Sequence, residues 1–145
     1  MITLRPSNVA DVPALVDVWR RAVRATHHFL SQADFQEIER IVAELYLPNA
    51  DLMVAVNGDG RPLGFMGMTG SHIDSLFIDP ACHGKGLGRR MVEHAAGKCG
   101  ALTVDVNEQN EQAVGFYLKM GFIQTGRAPT DDDGRPYPLL HMRRA

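Results

Sequence analysis

The sequence predicts a mixed α+β fold in which an antiparallel meander runs into a parallel strand–helix–strand unit and closing strands. Three observations carry this. Two early stretches repeat apolar residues at spacings of three and four. The middle of the chain switches to short apolar runs separated by glycine-rich turns. Beyond them a strand, a glycine loop, a helix and another strand follow in order. That order lets the two strands lie parallel with the helix as their crossover.

Each element has its own signal. After a short opening strand, Asp11 is placed to cap a helix and Pro13 suits a first turn. Val12, Leu15, Val16, Trp19, Ala22 and Val23 then share one face. A second helical pattern follows Asp34 through Phe35, Ile38, Ile41, Val42 and Leu45, and should stop near Pro48. Leu52 to Val56 reads as a strand, Asn57-Gly58-Asp59-Gly60 as a turn, and Leu63 to Thr69 as the hairpin partner. Gly70-Ser71 turns the chain into a further strand, His72 to Asp79. Leu87, Met91 and Ala95 define the next helix, and Leu102 to Val106 the next strand. A last helix starts near Asn110 on Ala113, Phe116, Tyr117 and Met120, and Gly121 can end it in the left-handed conformation. Phe122 to Thr125 and Tyr137 to Met142 close the sheet.

Bulk properties bound the function. The chain has 145 residues, enough for one domain spanning 1–145. Hydrophobic residues make up 45% and charged residues 22%, which supports a real core. A net charge of −2 with no broad basic face argues against nucleic acid as a partner. No apolar run is long enough for a membrane span, and no secretory signal is visible, so a cytoplasmic protein is expected. The two cysteines, Cys82 and Cys99, are too few for a disulfide framework. No histidine stands at zinc-like spacing, so no metal site is expected.

The chemistry concentrates at Leu76-Phe77-Ile78-Asp79-Pro80 and His83-Gly84-Lys85-Gly86-Leu87-Gly88, followed directly by a helix. Glycines let the backbone bend and approach a ligand closely. A helix start presents unpaired N–H groups and the positive dipole end, to which a pyrophosphate is suited. Lys85, Arg89 and Arg90 add positive charge. A bare glycine-rich turn would look similar. A P-loop is excluded, because Gly84-Lys85-Gly86 lacks the closing Lys-Ser/Thr. A dinucleotide fingerprint could use Gly84 and Gly86 with Asp105 about 20 residues on. Its third glycine, however, falls on Arg89, and hairpins precede the loop.

These residues, with Asn110, Phe116-Tyr117 and Gly121-Phe122 downstream, closely resemble the GNAT (GCN5-related) N-acetyltransferase superfamily. That family's loop is Arg/Gln-x-x-Gly-x-Gly/Ala, here with His83 at the first position. Ala25 to Leu30, Val106 to Val114 and Gly134 to Leu140 are similar to the bacterial YjaB-type branch. The resemblance covers nearly the whole chain and implies the GNAT acyl-CoA N-acyltransferase fold. It also implies acetyl coenzyme A as cosubstrate and an amine-bearing small molecule or protein as acceptor.

The same resemblance implies roles. Leu76, Phe77 and Ile78 would bind the acetyl and pantetheine groups through their backbone. Gly84, Lys85, Gly86, Leu87, Gly88 and Arg89 would hold the pyrophosphate. Asn110 would contact the pantetheine arm, although a helix N-cap explains it equally. Tyr117 matches the tyrosine that acts as general acid near the sulfur, against a plain core aromatic; Phe116 beside it is the better core candidate. A lysine-type amine, with pKa about 10.4, is less than about one part in a thousand neutral at pH 7, so a proton acceptor is needed. His72 and Asp74 alternate with Leu76 on one strand face, and Asp105 matches a position where related enzymes carry a glutamate base. His27, His28 and Phe29 fall in the region bordering the acceptor pocket of the family. Asp131-Asp132-Asp133 reads as a solvated turn. The rival readings are an acetyl coenzyme A sensor without turnover and a dinucleotide-binding protein.

Overall fold

The computed structural model describes residues 1–145. Seven strands and four α-helices follow one another in the order β1 (Thr3–Pro6), α1 (Val12–Thr26), α2 (Gln32–Ile41), β2 (Leu52–Val56), β3 (Pro62–Thr69), β4 (His72–Ile78), α3 (Leu87–Cys99), β5 (Leu102–Asn107), α4 (Glu111–Lys119), β6 (Ile123–Ala128) and β7 (Leu139–Arg144). The strand order in the sheet is β1-β2-β3-β4-β5-β7-β6. β1 with β2 and β2 with β3 are antiparallel, and β4 with β5 is the parallel pair. No helix is long and apolar enough to cross a membrane. The chain divides into two compact units, Met1–Met68 with Ser75–Gly88, and Thr69–Asp74 with Arg89–Ala145.

In the first unit, α1 buries Leu15, Val18, Trp19 and Val23 into a core with Leu47, Leu52, Val54, Val56 and Phe65. Trp19 packs on Phe35 at 5.4 Å and Phe65 on Phe77 at 5.6 Å between ring centroids. Each such side chain contributes roughly 1.5–3 kcal/mol by leaving water.

Two expectations fail in this unit. Asp11 does not cap α1 through its side chain. Its carboxylate instead takes both guanidinium nitrogens of Arg5, at 2.7 and 2.8 Å, and the Asn8 N–H. These partners, rather than the first N–H groups of α1, fix its orientation. The second helix begins at Gln32, with Ser31 as its cap, rather than after Asp34. It closes in a π-helical turn, Val42–Tyr46, whose wider ring puts the Leu47 N–H on Val42 O. The extra residue per turn shifts the register. Leu47 is therefore buried while Leu45 points outward at 57% exposure.

In the second unit, β7 inserts between β5 and β6, antiparallel to both. Leu102, Val104 and Val106 alternate inward on β5, as do Leu140 and Met142 on β7. The closing strands start one and two residues later than their apolar runs suggest. Phe122 is a fully buried side chain just before β6, and Tyr137 is buried just before β7.

Candidate active site

In the first unit the approach to the glycine loop is fixed by Asp79. Its N–H donates to Leu63 O at 2.8 Å, tying the end of β4 to β3. Its carboxylate accepts the Ala81 N–H at 3.0 Å and the Arg21 guanidinium from α1 at 2.6 Å, with Arg61 at 3.8 Å. Burial works against the charge of Asp79. The Ala81 N–H and the two guanidinium groups outweigh it and hold the carboxyl below its ordinary range.

The loop then takes the shape its glycines permit. Gly84 and Gly86 sit at φ +78° and +79°, in the left-handed region that side-chain residues avoid. A Cβ at either would meet nothing within 4 Å, so both face open space at the start of α3. Gly88 lies outside the left-handed region, as the second residue of α3. Lys85 and Arg89 are exposed beside the loop, while Leu87 is buried and anchors the helix start. Two left-handed glycines with open space beside them, at a helix start with exposed cationic side chains, suit the approach of an anion. Leu76, Phe77 and Ile78 precede it on β4. β4 pairs with β5 only at His72↔Thr103 and Ile73↔Val104.

At the end of α1 and on α2, Arg24, His27, His28, Leu30, Phe35 and Glu39 line a depression of about 450 Å³. His28 is exposed and its Nε2 lies 3.1 Å from Ala25 O. Arg24 lies over the Phe35 ring at 5.2 Å. Burial, aided by neighbouring His28, pulls His27 down to about 4, so its ring is neutral at physiological pH.

In the second unit, Asn110 caps α4: its side chain accepts the Ala113 N–H at 3.1 Å, and it is 8% exposed. Tyr117, one turn or two along α4, is the buried aromatic, packed edge-on to Phe116 and Phe122 at 5.0 and 5.1 Å. Phe116 is only half-buried, reversing the expected assignment of the core ring. Burial pushes the Tyr117 phenol well above its ordinary value.

The expected base candidates separate. Asp74 is exposed and accepts the Thr69 hydroxyl across the hairpin turn. His72 and Asp105 come together instead. His72 Nε2 lies 3.7 Å from one carboxylate oxygen and His72 Nδ1 lies 2.7 Å from Thr103 Oγ1. The other Asp105 oxygen is 2.6 Å from Nδ1 of His141, a residue the sequence reading missed. Its signal was modest: His141 is the polar residue between Leu140 and Met142 in a strand of alternating burial. Asp131 is absorbed in its own turn, accepting the backbone N–H groups of Asp133 and Arg135 and pairing with the Arg135 guanidinium.

Comparison with known proteins agrees with this architecture. The model of the Acetyltransferase (GNAT) domain matches residues 17–143. The chain is 52% identical to the peptidyl-lysine N-acetyltransferase YjaB of Salmonella typhimurium, over 98% of this chain and 97% of the relative. Its fold superposes on the solution structure of apo-form YjaB from Escherichia coli with a TM-score of 0.94, at 50% identity, covering 99% and 97% of the two chains. The PaiA N-acetyltransferase of Thermoplasma acidophilum, solved in complex with coenzyme A, shares the fold at TM-score 0.81 and 19% identity, covering 99% and 98%. A matched domain over most of the chain, full-length relatives about half identical and a superposable fold lead to one conclusion: this chain belongs to the GNAT acetyltransferase family.

Proposed function

We propose that the chain transfers the acetyl group of acetyl coenzyme A to the ε-amine of a lysine in a peptide or protein, by direct attack in a ternary complex. The observation that carries this reading is the pair of left-handed glycines, Gly84 and Gly86, opening the start of α3 just after β4. The acceptor class is supported by relatives about half identical over nearly their whole length and named for peptidyl-lysine.

Gly84, Lys85, Gly86, Leu87, Gly88 and Arg89 hold the pyrophosphate through backbone N–H groups and two cations. Leu76, Phe77 and Ile78 offer peptide groups from β4 to the amides of the pantetheine arm and to the acetyl carbonyl. Asn110 spends one oxygen on capping α4, and its amide N–H₂ remains for the same arm. Tyr117 is assigned to the leaving sulfur. An ordinary tyrosine, at about 10, is already a weaker acid than a thiol at about 8.5. Burial widens that gap. Tyr117 therefore acts as a hydrogen-bond donor whose bond strengthens as charge gathers on sulfur, and it need not give up its proton early. Asp105 and His72 belong to the proton path of the amine. His28 and its neighbours at the end of α1 border the acceptor. The setting is the cytoplasm, where Cys82 and Cys99 stay reduced.

Release of free thiol from acetyl coenzyme A, measured against lysine peptides, N-terminal amines and small polyamines, tests the reading. Turnover with lysine peptides supports it. Binding without thiol release on any amine would instead favour the sensor.

A further inference from the structure

His141 is assigned no part in the scheme above, yet its surroundings are those of an oriented proton acceptor. It stands directly across from Asp105 in the β5–β7 register. The Asp105 carboxylate has only acceptor oxygens, so the 2.6 Å contact requires the proton on His141 Nδ1. The Nε2 lone pair is thereby left to accept. The second Asp105 oxygen lies 3.7 Å from His72 Nε2, and the far nitrogen of His72 is held by Thr103 at 2.7 Å. The array remains in reach of solvent, with His141 and Asp105 side chains 43% and 32% exposed. On the β6 side the neighbour is Gly126, in register with His141 at a bulge. A Cβ there would come within 3.2 Å of His141 Cδ2, the carbon bonded to Nε2. Gly126 is not among the glycines with positive φ, so the backbone does not require glycine at this site. The missing side chain leaves room beside the Cδ2 edge of the ring, next to Nε2.

We infer that His141, oriented by Asp105 and backed by His72, is the group that takes the proton from the incoming amine; this rests on the acetyl-transfer reading and deepens it. His141 Nε2 accepts one proton from the lysine ammonium, leaving a neutral amine. The nitrogen lone pair then forms the C–N bond while the C–S bond breaks and sulfur leaves with its electron pair. The second proton lost by nitrogen ends on that sulfur, and the imidazolium returns its own to water. The products are the amide, free coenzyme A thiol and one solvent proton. Asp105 is the positioning residue. The charged or titratable groups near the imidazole include Asp105 on β5, through it His72 on β4, and Arg143 two residues along the same face of β7. On β6 the register partner carries no charge, and Arg127 next to it is tied to Glu108 at 2.9 Å.

The test is the pH profile of kcat/KM for a lysine peptide in the wild type, His141→Asn and Asp105→Asn, with acetyl coenzyme A affinity measured alongside. His141→Asn should lose about a hundredfold near neutrality. The deficit should shrink as pH climbs toward the amine's own value of about 10.4. Cofactor affinity should hold. Added imidazole should restore turnover to His141→Ala. Asp105→Asn, which keeps the ring but loses its anchor, should show a smaller loss of the same pH form. A uniform loss with unchanged profile and no rescue would mark the pair as a structural cross-strand bridge and overturn the inference, as would profiles that overlay the wild type. No thiol release from the wild type on any amine would remove the acetyl-transfer reading itself.

Discussion

The glycine loop and the His72–Asp105–His141 array are built by opposite means. The loop is local: six consecutive residues, two of them in a backbone region that glycine alone enters freely, followed at once by a helix. The array is assembled from three strands, with Asp105 and His141 36 residues apart and His72 and Thr103 31 apart. In the proposed reading the loop binds with backbone, which tolerates changes of neighbouring side chains. In the same reading the array works through Asp105 and His141 at 2.6 Å, with His72 3.7 Å from the same carboxylate, and depends on sheet register and on one missing side chain at Gly126. A site made of backbone should fail through conformation and charge. A site made of registered side chains should fail through the loss of single atoms.

The largest effect that would break this contrast is expected in the loop. Gly86→Asp places a side chain and a negative charge in the open space proposed for the anion. Acetyl coenzyme A affinity should fall at least about a hundredfold, near 2.8 kcal/mol. The fold should survive. A left-handed aspartate costs on the order of 1–2 kcal/mol, and its charge suits a helix start. Wild-type affinity in calorimetry on the folded variant would remove the pyrophosphate assignment.

The difference in construction also explains what could be read without coordinates. The glycine loop, the meander and the crossover helix follow from residue spacing, because positive φ and period are local properties. Asp105 and His72 were legible as candidates by type and by resemblance. His141 was not, because its place opposite Asp105 depends on β7 inserting between β5 and β6. No local signal sets that order. The swap of Asp11 from helix cap to Arg5 partner, and the π-helical turn at Val42–Tyr46, escaped for the same reason. Each is decided by tertiary partners that override local preference.

Tyr117 sharpens the contrast at intermediate size, since it is a side-chain contribution from a packed ring. Tyr117→Phe retains the contacts with Phe116 and Phe122 and removes only the hydroxyl. We expect kcat to fall at least about tenfold, near 1.4 kcal/mol, with little change in acetyl coenzyme A affinity. An unchanged kcat, with chemistry shown to limit the rate, would return Tyr117 to a core aromatic.

The smallest effect concerns the support beneath the loop. Asp79→Asn removes a carboxylate that is 3% exposed and bound to Arg21, itself 35% exposed. Because Arg21 is partly exposed and can hydrate, the expected loss is only about 1 kcal/mol of stability in denaturant. The sign with pH is fixed by the depressed carboxyl. Its contribution is present above the ordinary aspartate value, about 3.9, and is lost as pH falls through the lower folded value. Wild type and variant should therefore converge in stability in strong acid. A gap that persists there would show that Asp79 acts through packing rather than charge.

The central claim is acetyl transfer to lysine, and mass spectrometry on one peptide tests it most directly. The substrate is a peptide with a blocked N-terminus and a single lysine, incubated with the wild-type chain and acetyl coenzyme A. The account predicts one acetyl group on the lysine side chain and its absence with Gly86→Asp. Equal acetylation by the wild type and Gly86→Asp, or an unmodified peptide across a panel of such sequences despite bound acetyl coenzyme A, would contradict it.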